Sequence, residues 1–100
     1  MIYFIQEGAA GPIKIGYTRD HPQTRLYHLQ TGNYRLLRIV ATMEGGLDLE
    51  KALHQTFTRL ECGEWFKPTP ELLGYIAERA LPWAKRPRAH ALRCMKRSEK

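Results

Sequence analysis

One hundred residues with 16 Lys+Arg against 10 Asp+Glu carry a formal charge of +6 and a pI near 9.6. At this length the chain holds one domain with one core, and 43% hydrophobic with 26% charged residues is a globular composition, far from that of a disordered chain. Apolar runs are only a few residues long, against about 20 for a bilayer span, and MIYFIQEGAA lacks the basic region and long apolar stretch of a secretory signal. A cytoplasmic protein with no membrane partner is therefore expected. Cys62 and Cys94 stand 32 positions apart without metal-ligand or CxxC spacing and read as reduced thiols.

Residues 1–84 contain nine Lys+Arg and nine Asp+Glu. All the net charge therefore falls in 85–100, where Lys85, Arg86, Arg88, Arg93, Lys96, Arg97 and Lys100 face Glu99 alone. The reading is one domain, 1–84, followed by a flexible basic tail that either binds a polyanion or keeps the chain soluble.

MIYFIQ and PIKIGYT have strand composition, with EGAAGP between them as the turn of a hairpin. Period-2 alternation puts Met1, Tyr3 and Ile5 on one face against Ile2 and Phe4, and Ile13, Ile15 and Tyr17 on one face against Lys14, Gly16 and Thr18. A helix comes next, with Asp20 as N-cap, Pro22 in the first turn, Leu26 and Leu29 as its buried stripe, and Gly32 as its end.

YRLLRIVATME is a third strand, closed by Gly45 and Gly46. Asp48 is expected to cap a second helix whose stripe is Leu49, Ala52, Leu53, Phe57 and Leu60, with Glu50 and His54 together at the stripe's edge. GEWFKP reads as a turn-rich link. TPELLGYIAERAL is a third helix with Thr69 as cap and Pro70 at its first position; Pro82 stops it, and Trp83 is a packing anchor ahead of the tail. The order ββαβαα predicts an α+β fold: a small, mainly antiparallel three-stranded sheet flanked by helices.

IYFI at 2–5, KIGYT at 14–18, RL at 25–26 followed by LQTG, and DLEKALH at 48–54 resemble, in order, the signatures of the GIY-YIG endonuclease superfamily. The resemblance spans residues 1–66. It is nearest the phage and bacterial branch whose second signature reads KIGYT and in which a GEWF element follows the E-x-x-x-H helix. It implies a DNA endonuclease that uses one divalent cation, Mg²⁺ or Mn²⁺, and no organic cofactor. By the same resemblance Tyr3, Lys14, Arg25 and Glu50 are catalytic, Glu50 holds the metal, and His54, Glu64 and Trp65 support the site; Tyr17 joins the catalytic candidates on its chemistry alone. Lys14 stands where the commonest pattern has a tyrosine. Leu29, beside His28, stands where a histidine or tyrosine often follows the arginine by one turn.

Phosphodiester hydrolysis suits this set. A hard cation takes one or two carboxylates and fills its shell with water and phosphate, so one glutamate suffices. Arginine offers a fixed fork of donors to phosphate oxygens. The water's proton could go to Tyr3, Tyr17 or Lys14, and the sequence does not choose. Singly, each has a plainer reading: Tyr3 as a strand aromatic, Lys14, Arg25 and Glu50 as surface charges, His54 bonded to Glu50 or to the GEWF segment, Trp65 and Phe66 as core aromatics. His21, His90, Tyr27, Tyr34 and Tyr75 receive no role.

Three functions remain in view: an endonuclease nicking or cutting duplex or branched DNA, a catalytically silent DNA-binding module of the same fold, and a protein-binding adaptor. DNA is the expected partner in the first two. Lys85, Arg86, Arg88, Arg93, Lys96 and Arg97 are the candidates for non-specific phosphate contact.

Overall fold

The structure is a computed structural model and describes residues 1–57 and 65–83. β1 (Ile2–Glu7) pairs antiparallel with β2 (Ile13–Tyr17), Tyr3 opposite Gly16 and Ile5 opposite Lys14. Gly8 turns the hairpin with φ 66°, a left-handed conformation glycine adopts without steric cost. α1 (Pro22–Thr31), β3 (Leu37–Met43), α2 (Leu47–Thr56), β4 (Trp65–Phe66), α3 (Pro70–Arg79) and β5 (Leu81–Pro82) complete the order.

The strands form one antiparallel sheet, β4-β2-β1-β3-β5, and the fold is α+β as expected. It has five strands where three were predicted. β4 lies inside the supposed link, with Phe66 opposite Ile13 and Trp65 opposite Lys14. β5 pairs Leu81 with Thr42 and Pro82 with Ala41, so the third helix ends at Arg79 and Pro82 belongs to an edge strand, where it needs no ladder donor. Two-residue strands carry no period of their own; only their partners define them.

β1 is the central strand, and Ile2, Tyr3, Phe4 and Ile5 are each 2% exposed or less, because both faces of the sheet are covered. Ile2, Phe4, Ile13, Ile15, Leu53, Phe66, Leu72 and Ile76 form the larger cluster beneath α2 and α3. Tyr3, Ile5, Leu37 and Ile39 form the smaller one, closed by Leu26 and Leu29 of α1 with Trp65 and Trp83. Burying one such side chain contributes about 1.5–3 kcal/mol, so the alternation along β1 binds helices to both faces. The register between β1 and β3 shifts at Phe4/Ile5, from Phe4↔Ala41 to Ile5↔Ile39. The extra residue, Val40, joins Ala41 on the larger cluster, and this bulge returns Thr42 to the Tyr3 side.

Helix starts differ in two places. His21, not Asp20, caps α1, its Nδ1 accepting from the Gln23 amide at 3.1 Å; Asp20 instead gives its own amide to Thr18 Oγ1 at 3.0 Å. Gly46 is the N-cap of α2, without a side-chain bond, and Asp48 lies within the first turn, where its charge favours the helix dipole. Thr69 caps α3 as predicted, accepting from the Leu72 amide at 3.2 Å. Ala52 is exposed, so the α2 stripe narrows to Leu49, Leu53 and Phe57; Leu60 lies outside the described residues. Among the described residues no helix is long and apolar enough to cross a membrane.

Candidate functional site

On the α1 face of the sheet, Gly16, Tyr3 and Thr42 form one cross-strand row. The Tyr3 phenol lies so close over β2 that a Cβ at position 16 would coincide with its hydroxyl and ring edge. The glycine of KIGYT is thus required by the tyrosine of IYFI. The Tyr3 hydroxyl accepts a hydrogen bond from Arg25 Nε at 3.2 Å. Arg25 is half-buried in the first turns of α1, which the His21 cap fixes; the Trp83 ring meets His21 edge-on at 5.8 Å.

Arg25 forms one wall of an open groove of about 310 Å³ between the end of β2 and α1, with Tyr17, Thr18 and Arg19 on the strand side and Asp20, Thr24 and His28 on the helix side. Arg19 and His28 thus join the candidate residues. Neither fits a motif position: Arg19 reaches the groove because the β2–α1 connection is short, and His28 lies one turn from Thr24 on the same face. A groove with Arg25 on a helix and Arg19 on the short connection before it suits a phosphate.

α2 approaches β2 from the opposite face. Gly45 packs against Ile2, the strand partner of Tyr17, and nine residues on His54 Nε2–H donates to the Ile15 carbonyl at 2.8 Å. The helix therefore runs along β2 from its Tyr17 end. Glu50, half-buried and one turn before His54, is carried at that end. Tyr17 joins the two halves, packing on the α2-side cluster while lining the groove. His54 donates to the Ile15 carbonyl where the sequence suggested Glu50 or the GEWF segment as its partner. It takes a carbonyl one residue beyond the described pairing of β4 and lies 5.1 Å from the Phe66 ring.

Lys14, expected on a solvated face, is 7% exposed, its Nζ 5.9 Å from the centre of the Trp65 ring. It lies two residues along β2 from Gly16 on the Tyr3 face. Among the described residues no group of three or more His, Cys, Asp or Glu could enclose a metal. A lone carboxylate matches the shell of a hard cation completed by water and phosphate, and not that of a structural zinc. Glu64 and the tail cations Lys85, Arg86, Arg88, Arg93, Lys96 and Arg97 lie outside the described residues.

The model of one family, the T5orf172 domain, matches residues 1–81. The chain belongs to the T5orf172 domain family. This is a nuclease-like family of phages and bacteria, related to the GIY-YIG and HNH groups. No curated protein and no solved structure matches the chain. The T5orf172 match contains both halves of the candidate site and all of the described sheet except Pro82.

Proposed function

We propose that this T5orf172 domain is a divalent-cation-dependent DNA endonuclease of GIY-YIG type. The observation that carries the reading is the Arg25–Tyr3 bond, which fixes a guanidinium plane at the wall of a groove shared with Arg19. The family's nuclease-like character supports it.

In this reading the scissile phosphate enters the groove and Arg25 and Arg19 offset its growing negative charge. Tyr3, buried and bonded to Arg25, positions the arginine. Tyr17, at the groove wall, is the group placed to relay the attacking water's proton to solvent, and solvent protonates the departing oxygen. Lys14, packed on Trp65, holds the β2–β4 edge behind these groups. Glu50 would hold the Mg²⁺ or Mn²⁺, which when bound supplies counter-charge to the phosphate. The tail cations provide DNA affinity without sequence preference.

The test is nicking of supercoiled and branched DNA with Mg²⁺ or Mn²⁺. Wild type should nick; Glu50→Ala should bind DNA, melt near the wild-type temperature and fail to cut, and Arg25→Ala should bind DNA and fail to cut while losing about 1–3 kcal/mol of stability, because the buried Tyr3 hydroxyl is left without its donor. Binding by wild type without nicking in either metal would overturn the enzyme in favour of a silent DNA-binding module.

A further inference from the structure

The loop joining α1 to β3 is tied down by side chains along its length. Gln30 Nε2 donates to the Asn33 and Arg35 carbonyls at 3.0 and 2.8 Å, and its Oε1 accepts from the Leu37 amide at 2.8 Å. Asn33 Oδ1 accepts from the Arg35 amide at 2.9 Å while its Nδ2 donates to Glu7, and the Gly8 amide bonds the Leu36 carbonyl at 2.9 Å. This fixed backbone holds Tyr34 outward, 91% exposed. The Arg35 guanidinium covers one side of the phenol, 5.5 Å from the ring centre, with Nε donating to the hydroxyl at 3.2 Å.

Neither core cluster includes Tyr34, and the side chains that hold the loop backbone are Gln30 and Asn33, while the Tyr34 hydroxyl accepts from its neighbour Arg35. An ordered loop that holds out an aromatic ring beside an arginine has already met the ordering cost that binding would otherwise incur. That pairing of π-face and cation is what single-stranded nucleic acid uses, a base stacking on the ring and a phosphate meeting the cation. The surrounding charge agrees. From His21 to Met43 the chain has no acidic residue, and the carboxylate that meets the loop, Glu7, is engaged by Asn33 and Arg35. The outer side of α1 links this loop to the groove through Tyr27, 72% exposed, whose ring meets that of His28 at 5.9 Å. The six helical steps from Arg25 to Thr31 span about 9 Å, the length of roughly three nucleotides of a B-form strand.

We infer that Tyr34 and Arg35 form a platform on which an unpaired base of the substrate stacks, a few nucleotides from the phosphate in the groove. The assignment rests on DNA being the ligand. It makes DNA with an unpaired strand, a flap or a branch, the preferred substrate class of this site.

Anisotropy in EDTA, where no cutting occurs, tests it with the full chain at about 0.2 M salt, where tail contacts are weakened. The probes are a labelled duplex and the same duplex with a short flap carrying 2-aminopurine. Wild type should prefer the flap and quench the 2-aminopurine. Tyr34→Ala should weaken flap binding about fivefold to a hundredfold, abolish the quenching, and leave duplex binding and melting temperature in place; Tyr34→Phe should behave as wild type. Equal flap binding by wild type and Tyr34→Ala, or equal losses on flap and duplex, would overturn the platform alone. Failure of wild type to bind either DNA would overturn the platform together with the DNA reading on which it rests.

Discussion

Tyr3 and Gly16 face each other across β1 and β2, and the space a side chain would take at 16 is filled by the phenol that accepts the Arg25 hydrogen bond. A glycine in one signature, a tyrosine in another and an arginine on the following helix are therefore one packed unit.

Gly16→Ala should disrupt that unit. The Tyr3 ring is 2% exposed and has no room to swing aside, so the added methyl costs about 1–3 kcal/mol of overpacking. Calorimetry should show the melting temperature falling by roughly 4–8 °C for each kcal/mol. Any remaining nicking should also decline, because the Tyr3 hydroxyl moves.

Tyr3→Phe separates positioning from packing. The ring stays and only the acceptor for Arg25 Nε is removed, so stability should change by about 0.5–1.5 kcal/mol while the nicking rate falls tenfold or more. Denaturant titration beside single-turnover nicking checks both. A full-rate Tyr3→Phe enzyme would remove Tyr3 from the arginine's support.

His54→Ala should act mainly on stability. The Ile15 carbonyl loses its 2.8 Å donor and Phe66 loses a ring neighbour, a loss of about 1–3 kcal/mol measurable by urea unfolding. His54→Gln, which can still offer an amide donor, should recover part of it.

Deleting 85–100 should weaken DNA binding across unrelated sequences and flatten its salt dependence. The slope of log K against log salt should shrink by roughly 0.9 for each duplex phosphate the tail no longer neutralises. Binding titrations over a salt series measure this. The melting temperature of the domain should hold. Unchanged affinity would make the tail a solubilising end.

Much of the framework was legible in the chain. Alternation in IYFI and KIGYT assigns the hairpin faces, and the Thr69-Pro70 start of α3 and the apolar positions Leu49, Leu53 and Phe57 are set by period and capping chemistry alone. These are local properties, fixed by the geometry of one strand or one helix turn. β4 and β5 were not legible, because two residues become a strand only when Lys14 or Thr42 stands opposite. The α1 cap moved from Asp20 to His21 because an imidazole nitrogen accepted the helix amide, while Thr18 took the amide of Asp20.

The same division runs through the candidate site. The sequence alone determined which residue types are present and in what order: Tyr3, Lys14, Tyr17, Arg25 and Glu50, in a body of balanced charge with every net cation in the tail. Only the tertiary structure decided that Arg25 meets Tyr3, that Arg19 and His28 share the groove with Arg25, that Lys14 is buried against Trp65, and that Glu50 comes along β2 from the other face. Spacing along a chain fixes what neighbours on one element can touch; contacts between elements depend on register, bulge and helix placement, which the packing of two opposed cores sets together.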